Sequence, residues 1–287
     1  MMHKAKNRFD LSNNNALITG GGGLLGPQHG IALAKWGAAV VLVDIDETGL
    51  NNAKNLITKN IPGSVIKTAV VDITKESALL DLCNQLKDKN LAIDILINNA
   101  SINPTMDPGG SHGYTVSLDE ETSGSVEDYD MDLWYRELDV GITGTFLCCK
   151  VFGSVMASHG AGVIINIASD LAIQAPDQRL YSHTGEMDDV KHFKPLGYSV
   201  VKSAMLGLNK YLATYWAHKG VRVNCLLPGA VLNTQSHDLV KKVSNKIPIG
   251  RLAHKYEYQE AIAFLASSAS SYMTGQELII DGGRSIW

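Results

Sequence analysis

The sequence predicts a single Rossmann-type α/β domain, a doubly wound parallel sheet of seven strands with helices on both faces. Short apolar runs rich in β-branched residues alternate with helical patterns throughout the chain. The runs are apolar at consecutive positions, which is typical of parallel strands covered on both faces. No internal repeat or low-complexity linker interrupts this alternation, so residues 1–287 are expected to form one domain.

Seven strands and six helices follow one another along the chain. The strands are predicted at Ala16–Thr19, Ala39–Asp44, Ser64–Val71, Ala92–Asn98, Gly162–Ile167, Val221–Leu227 and Glu277–Ile280. The helices are predicted near Pro27–Trp36, Glu47–Thr58, Glu76–Asp88, Met131–Ser158, Leu196–His218 and Glu257–Ala266. Two stretches depart from the alternation, residues 102–130 and 174–195. Both follow a strand at its carboxyl end, where ligands bind in open α/β sheets, so both are predicted to be active-site loop insertions.

Composition and charge argue against several classes of partner. The formal net charge is −4, which disfavours nucleic-acid binding because that function needs a basic surface. No apolar run approaches the roughly 18–20 residues that span a bilayer, and residues 1–15 lack the apolar core of a signal peptide. The four cysteines lack metal-site spacing and are expected to be reduced thiols. We therefore expect a cytoplasmic protein without metal, nucleic-acid or membrane partners.

A glycine-rich segment, ALITGGGGLLGPQHG at residues 16–30, follows the first predicted strand and begins the first helix. It contains Gly21-x-Gly23-x-x-Gly26. Glycines allow the backbone to approach a pyrophosphate, and the helix N-terminus supplies free N–H groups. Pro27 suits the first helical turn, where it costs no hydrogen bond. The segment predicts a dinucleotide site; the alternative is a glycine loop without a ligand.

Two aspartates end the next two predicted strands. Asp44 can accept hydrogen bonds from both hydroxyls of an adenosine ribose and would repel a 2′-phosphate. No Lys or Arg lies in the glycine loop or directly after Asp44, so NAD is predicted over NADP. The alternative is that Asp44 caps the following helix, a role that Asp46 could fill instead. Asp72 is either an adenine contact or the N-cap of the next helix.

A tyrosine and a lysine four residues apart, Tyr198 and Lys202, lie in the fifth predicted helix. Residues at this spacing share a helix face. A free tyrosine has a pKa near 10, but a cation within about 4–6 Å lowers the pKa by roughly 1–3 units, which makes proton exchange with an alcohol practical. Tyr215 and Lys219 have the same spacing, but Lys219 directly precedes Gly220, where the helix is predicted to end. We interpret Lys219 as complementing the helix dipole.

Ser169 follows the fifth predicted strand. Its hydroxyl is predicted to hold the substrate oxygen and to stabilise charge that develops there. The alternative is a strand-end serine that caps a turn. A nucleophilic serine is excluded because no Gly-x-Ser-x-Gly elbow surrounds the residue. Ser169, Tyr198 and Lys202 are therefore the predicted catalytic residues of a hydride transfer between an alcohol and a carbonyl compound.

These segments together resemble the short-chain dehydrogenase/reductase family, in its compact single-domain branch. The resemblance extends from Ala16 to Gly283 and includes the glycine loop, Asn98-Asn99-Ala100, Pro228-Gly229 and the TGQELIIDGG segment. It implies the strand order 3-2-1-4-5-6-7, a nicotinamide cofactor and a homodimer or homotetramer. The cofactor contacts that it implies, with Asn233 as an alternative to the last, are Gly20, Gly23, Leu25, Gly26, Asp44, Asp72, Ile73, Asn98, Ala100, Tyr198, Lys202, Pro228, Gly229, Val231 and Thr234.

The chain departs from the family pattern at several positions. Leu24 stands where this branch usually has glycine, and Ser101 replaces the last glycine of its Asn-Asn-Ala-Gly motif. Gly141 stands where the family has a fourth catalytic asparagine, which is thought to support proton transfer. The separation of Ser169 and Tyr198 is about twice the usual spacing. This insertion and the DGGRSIW segment resemble a subgroup associated with flagellin or surface-polysaccharide sugar modification.

The insertion suggests a substrate. Arg179 is predicted to bind a phosphate or carboxylate of a sugar, together with Lys191, His192 or Lys194. The alternative is a solvated loop in which acidic residues balance these charges. The predicted function is an NAD(H)-dependent oxidoreductase acting on a small, polar, sugar-like alcohol or ketone, with Ser169 and Arg179 contacting the substrate. Two alternatives remain: a sugar-nucleotide epimerase or dehydratase that retains NAD, and a catalytically silent NAD-binding protein.

Overall fold

Seven parallel strands form one sheet in the order β3-β2-β1-β4-β5-β6-β7. The computed structural model describes residues 7–103, 125–182, 187 and 193–287. The strands are β1 (Asn15–Thr19), β2 (Ala39–Asp44), β3 (Ile66–Val70), β4 (Ile95–Asn98), β5 (Gly162–Ile167), β6 (Val221–Pro228) and β7 (Glu277–Ile280). The helices are α1 (Gly26–Lys35), α2 (Glu47–Asn60), α3 (Glu76–Asp88), α4 (Met131–His159), α5 (Leu196–Trp216), α6 (His237–Ser244) and α7 (Gln259–Ala266). Both the predicted fold class and the implied strand order are confirmed.

The sheet is buried on both faces because successive residues of each strand point in opposite directions. Leu17 and Ile18 of β1 are both fully buried, yet they belong to separate apolar clusters on the two faces. β1 pairs with β2 on one side and β4 on the other, so the strand order reverses there. Ligands bind outside the carboxyl ends of strands at such a switch point. This places the glycine loop after β1 at the crevice where a ligand would bind.

Differences from the predicted boundaries are small and have local causes. The residues just before β4 are held by side-chain bonds: the Asn15 amide donates to Ala92 O at 2.9 Å, and the Asn15 N–H donates to the Asp94 carboxylate at 2.8 Å. The strand ladder therefore starts at Ile95, three residues later than predicted. Helix α6 was not predicted. Its eight residues follow Ser236, whose hydroxyl accepts from the N–H of Leu239 as an N-cap.

Helix α4 corrects one expectation about membranes. Its 29 residues include a stretch of mean hydropathy 1.5 that is long and apolar enough to cross a bilayer by length and composition alone. Half of that stretch is buried within the fold, as is typical of a core helix. Two π-helical segments, Asp139–Gly144 and Cys149–Gly153, widen α4 where it passes the sheet and α5.

The two predicted insertions lie partly outside the described residues. Of the first, the structure describes residues 102–103 and 125–130; of the second, 174–182, 187 and 193–195, so Lys191 and His192 are not covered. A 3₁₀ turn, Gln178–Tyr181, places Leu180 in an apolar cluster with Val243, Ile247 and Leu252. This part of the second insertion therefore packs beside α6, near the carboxyl end of the sheet.

Candidate active site

The glycine loop is clamped against the end of β4. Gly20 has a φ of +63°, and a Cβ there would lie 2.8 Å from Cα of Ala100, so only glycine fits. The amide of Asn99 donates to the carbonyl oxygens of Thr19 and Gly20 at 3.1 and 3.0 Å. The Thr19 hydroxyl accepts from the N–H groups of Asn99 and Ala100. Thr19 was not among the predicted site residues. The sequence also did not predict that Thr19 and Asn99 hold the glycine loop in place.

The open side of this loop suits a pyrophosphate. Helix α1 begins at Gly26, and its N-cap, Leu25, makes no side-chain cap, so the first N–H groups of the helix have no capping acceptor there. Pro27 lies in the first turn, as predicted. A Cβ at Gly23 would meet nothing closer than Gly20 O at 3.4 Å, whereas one at Gly26 would lie 2.5 Å from that atom. Gly26 packs the loop, Gly23 leaves space above it, and the free N–H groups provide anion-binding donors.

The carboxylate of Asp44 is fixed at the rim of the same crevice. One oxygen accepts from the N–H of Gly22 at 3.0 Å, and the other accepts from the N–H groups of Ile45 and Asp46 at 2.8 and 3.2 Å. Asp46 is the N-cap of α2, so the alternative that Asp44 caps this helix is wrong. The bonds hold Asp44 beside the glycine loop, where a ribose would lie.

The Asp72 carboxylate stabilises a turn that follows β3. Its Oδ1 accepts from the N–H and the hydroxyl of Thr74 at 2.9 and 2.7 Å, while Lys75 is the N-cap of α3. The helix-cap alternative is therefore wrong here too, and the adenine contact stays a prediction. Ile73 is buried against Gly144 of α4, where a Cβ would lie 2.8 Å from Ile73 Cδ1.

The side chain of Asn98 does not face the crevice. It is buried, and its amide donates to Asn166 Oδ1 at 2.8 Å and to Cys149 Sγ at 3.2 Å in the interior. The polar chain continues from Asn166 to Asn209. The predicted contact of Asn98 with a cofactor is therefore restricted to its backbone. All four cysteines are buried free thiols, as expected.

The remaining predicted cofactor residues lie after β6, at the same edge of the sheet. Pro228 ends the strand, and Gly229 follows it closely packed, since a Cβ there would lie 2.7 Å from Cα of Asp281. Val231 forms a β-bridge with Ala253. Thr234 is exposed in the loop that leads to α6.

The three predicted catalytic side chains are brought together. Ser169 directly follows β5, and its hydroxyl accepts from the N–H of Leu171, so it caps a 3₁₀ turn while it also shares a hydrogen bond with Tyr198. Tyr198 lies in the first turn of α5. Lys202 is one turn further on and buried; its Nζ donates to Ile167 O at 2.8 Å and lies 5.5 Å from the centroid of the Tyr198 ring.

The alternative pair is not part of this site. Tyr215 is exposed and stacks on Tyr211 at a centroid distance of 5.9 Å, and Lys219 lies in the turn that ends the helix. Tyr198 is the tyrosine beside Ser169.

Burial dominates the proton affinities of this site. It raises the pKa of Tyr198 to about 12; the hydrogen bond with Ser169 lowers this pKa, and the Asp170 carboxylate raises it. Burial also lowers the pKa of Lys202 to about 8. The expectation that a neighbouring cation would bring the pKa of Tyr198 below its usual value is not met, because desolvation of the phenolate is the largest effect and raises this pKa. Tyr198 is therefore a proton donor at neutral pH.

Gly141 explains the absence of the family's asparagine in steric terms. A Cβ at this position would lie 2.3 Å from Cγ1 of Val201 and 3.1 Å from its Cγ2. Val201 is buried on α5 beside Lys202. No asparagine fits in α4 at residue 141 while Val201 keeps its position.

Two charged clusters border the catalytic residues without having been predicted. In the first, Asp170 shares a 2.9 Å hydrogen bond with the Ser169 hydroxyl and accepts from Gln174 Nε2 at 3.1 Å. It also forms a 2.8 Å ion pair with Arg284, and both side chains of the pair are largely buried. Arg284 follows β7, so a segment far along the chain supports Ser169.

The second cluster fixes the start of α5. The Tyr129 hydroxyl donates to Glu137 Oε2 at 2.7 Å and accepts from the N–H of Gly197 at 3.1 Å. Burial raises the pKa of Glu137, and Glu137 Oε2 occupies the position that a Cβ of residue 197 would need. Glycine directly before Tyr198 thus allows α4 and α5 to approach closely.

Among the described cations of the second insertion, Lys194 is the one that lies beside Tyr198. The guanidinium of Arg179 is exposed and binds the Asp177 carboxylate through two bonds of 2.8 and 3.0 Å, which holds the pKa of Asp177 well below its usual range. The prediction that Arg179 contacts the substrate therefore has no support from its placement. Lys194 Nζ lies 4.6 Å from the centroid of the Tyr198 ring.

Known proteins match this chain over nearly its whole length. A family model described as enoyl-(acyl carrier protein) reductase matches residues 25–285. Galactitol 2-dehydrogenase of Rhizobium johnstonii is 30% identical, over 98% of this chain and 98% of its own. A short-chain type dehydrogenase/reductase from Mycobacterium marinum has a solved structure with a TM-score of 0.79 and 26% identity, covering 98% of both chains. A gluconate 5-dehydrogenase from Burkholderia cenocepacia, solved with NADP and tartrate, has a TM-score of 0.79 and 26% identity, covering 97% of both chains.

Proposed function

Because this chain belongs to the short-chain dehydrogenase/reductase family, we propose that it is an NAD(H)-dependent oxidoreductase that interconverts an alcohol and a ketone or aldehyde on a small, sugar-like substrate. The observation that carries the proposal is the cluster of Ser169, Tyr198 and Lys202, in which Ser169 and Lys202 are buried and Ser169 follows the carboxyl end of β5. A nicotinamide cofactor supplies or accepts the hydride when bound.

The roles of the three residues follow from their positions. The Ser169 hydroxyl donates to the Asp170 carboxylate in this structure, and its single proton turns to the substrate oxygen when that oxygen is bound. Tyr198 donates its phenolic proton to that oxygen during reduction and removes a proton from the alcohol during oxidation. Lys202 is oriented by Ile167 O toward Tyr198 and the predicted ribose position.

NAD is the proposed form of the cofactor. The Asp44 carboxylate is fixed beside Gly22 by its backbone hydrogen bonds. A 2′-phosphate placed there would meet like charge, whereas two ribose hydroxyls would meet an acceptor. The gluconate 5-dehydrogenase of similar fold was solved with NADP, so the cofactor assay compares both forms.

The substrate class is supported by the polar side chains around Tyr198. Asp170, Gln174, Arg284 and Lys194 offer both donors and acceptors, which suits a molecule with several hydroxyl groups. The galactitol dehydrogenase and gluconate dehydrogenase relatives are named for polyhydroxylated substrates. A polyol or sugar acid is therefore the proposed substrate class.

The test is a screen of polyols, sugar acids and sugar phosphates that follows NADH absorbance, with NADPH in parallel. Tyr198→Phe is expected to lower kcat by about 10²–10⁴-fold on any active substrate, because it removes the acid/base group, while NADH binding persists. Tyr215→Phe is the matched control and is expected to retain activity. Normal turnover by Tyr198→Phe, or purified protein that keeps NAD and catalyses only net redox-neutral reactions, would contradict the proposal.

We also propose that the enzyme is a cytoplasmic homodimer or homotetramer. Four buried free thiols fit a reducing compartment. Exposed apolar residues lie on α4 and α5, which pack against each other: Tyr135, Phe146, Val200, Tyr211 and Tyr215. A contiguous apolar surface of this kind is typical of a subunit interface.

A further inference from the structure

Lys194 occupies a defined place above the ring of the catalytic tyrosine. Its Nζ lies 4.6 Å from the Tyr198 ring centroid, closer than Lys202 Nζ at 5.5 Å. The Nζ donates to Asn103 Oδ1 at 2.5 Å, and the backbone N–H of Lys194 donates to Gln178 Oε1 at 2.8 Å. These bonds attach the lysine both to the segment after β4 and to the second insertion.

Sequence and helix geometry fix this arrangement. Lys194 precedes Pro195, the N-cap of α5, and lies four residues before Tyr198, just as Lys202 lies four residues after it. Pro195 has a restricted φ, here −53°, so the entry into the helix is rigid. Tyr198 is thus flanked by two lysines, one outside the helix and one within it.

The other charged and titratable groups around this pair come from every neighbouring element. Glu137 of α4 and Asp170 after β5 both raise the pKa of Lys194, while burial, the larger effect, lowers it to about 8. The groups that face Tyr198 or Lys194 are Tyr129 just before α4, Glu137 of α4, Asn103 after β4, and Ser169 and Asp170 after β5. Arg284 acts through its ion pair with Asp170, and Cys225 of β6 lies beside Lys202.

The family resemblance implies an asparagine at residue 141 that supports this centre, and a glycine stands there instead. Residue 141 has no side chain, and Val201 fills the space that one would need. Lys202 Nζ is bonded to Ile167 O. Among the described residues, Lys194 is the cation nearest to the Tyr198 ring.

We propose that Lys194 is a positioning residue of the active site, a second lysine that stabilises the phenolate form of Tyr198. The inference rests on the proposed role of Tyr198 as the acid/base group. A cation at about 4–6 Å lowers the pKa of an acidic group by roughly 1–3 units. Lys194 is charged below its pKa of about 8, so in that pH range its loss removes phenolate from Tyr198. Charge is the required property, so arginine replaces lysine and neutral residues do not.

The test titrates Tyr198 directly and needs no substrate. The chain is labelled with 3,5-difluorotyrosine, a stronger acid than tyrosine, which brings the titration of residue 198 closer to the range below about pH 8 in which Lys194 is charged. The ¹⁹F resonance of residue 198 is identified by its loss in Tyr198→Phe. Lys194→Met and Lys194→Gln are expected to raise the pKa of residue 198 by about one unit or more. Lys194→Arg is expected to keep it near the wild-type value.

Two controls separate charge from structure. Asn103→Ala removes the hydrogen bond of Lys194 Nζ but keeps the charge and the bond that attaches the Lys194 backbone to Gln178, so the pKa of residue 198 is expected to stay within the wild-type range. Lys210→Met removes one exposed charge from the same helix and is expected to have no effect. Unchanged titration in both neutral variants, or an equal shift in Asn103→Ala, overturns the proposal.

Failure of the proposed function is distinguishable from failure of this inference. If no substrate is found, the titration still reports whether Lys194 acts on Tyr198. If a substrate is found, the pH profile of kcat in the oxidation direction is expected to shift to higher pH in Lys194→Met, with KM less affected than kcat. A change in KM alone, at an unchanged pH profile, contradicts the assigned role.

Discussion

Lys202 carries a charge in water but is buried in this protein, and burial lowers its pKa to about 8. Within the part of the chain that the structure describes, its Nζ donates one hydrogen bond, to the backbone carbonyl of Ile167. Tyr198 shows the opposite shift for the same reason, since burial disfavours the phenolate. At neutral pH the pair is therefore an ammonium beside a protonated phenol, the state suited to reduce a carbonyl compound.

The lysine shift predicts how stability depends on pH. In the unfolded chain the pKa of a lysine is about 10.4, so from about pH 8 to about pH 10 the unfolded state binds more protons than the folded state, and the free energy of unfolding rises with pH. Lys202→Met removes this contribution. The difference in unfolding free energy, wild type minus variant, is expected to rise across that window by up to about 1.4 kcal/mol per pH unit.

Urea unfolding at several pH values measures this difference. Lys210→Met is the matched control, because Lys210 is exposed and paired with Glu277, and its difference is expected not to rise. If the difference in unfolding free energy between wild type and Lys202→Met stays constant from about pH 8 to about pH 10, the pKa of Lys202 is not lowered in the folded state.

At the scale of elements, α4 and α5 pack so closely that each depends on glycine in the contact. Gly141 of α4 meets Val201, and Gly197 of α5 meets the Glu137 carboxylate. The π-helical segment Asp139–Gly144 lies at this crossing. The contact holds Tyr198 and Lys202 at their positions relative to Ser169.

Restoring the asparagine at residue 141 is therefore expected to destabilise the protein. Gly141→Asn overpacks the contact and should cost about 1–3 kcal/mol of unfolding free energy. Combining it with Val201→Ala should recover part of that loss, with a coupling energy of about 1 kcal/mol or more in a double-mutant cycle. Urea unfolding of the wild type, the two single variants and the double variant measures this coupling energy.

Gly207→Asn is the control for helix propensity. Gly207 lies in α5, and a Cβ there meets nothing within 4 Å, so this change is expected to be nearly neutral. A loss at Gly207→Asn as large as that at Gly141→Asn would refute the steric explanation.

The sequence predicted the elements well because their signals are local. All seven strands, the glycine loop and the Tyr198 and Lys202 pair follow from residues close together in the chain. The position of Lys194 beside Tyr198 did not follow from the sequence, since its Nζ is held by Asn103, a residue 91 positions away, whereas Arg179 binds its near neighbour Asp177. The Asp170 and Arg284 pair joins residues 114 positions apart, and no local pattern announces it.

At the scale of the whole molecule, an exposed apolar stripe runs along α5. Val200, Tyr211 and Tyr215 lie on it, and Gly207 between them leaves open space. The spacing of these residues places them on one helix face. Tyr135 and Phe146 add exposed apolar area on the adjacent α4. Covering this surface with a second copy removes it from water.

Charge introduced on this stripe is expected to dissociate the proposed homo-oligomer. In Tyr211→Arg/Tyr215→Arg, like charges from the two copies would be buried together, and the Kd of assembly should rise at least about tenfold, which equals roughly 1.4 kcal/mol. Sedimentation velocity across a concentration series measures it. Val65→Arg, an exposed position before the edge strand β3, is the control and should leave assembly unchanged.

The contact between Gly141 and Val201 also constrains how the sequence can change. A larger residue at position 141 is tolerated only after position 201 has become smaller, whereas a smaller residue at position 201 is available at any time. The two sites therefore accept substitutions in one order and not in the other. An asparagine at residue 141 therefore fits without strain only when residue 201 is smaller than valine, so packing at this contact favours the glycine.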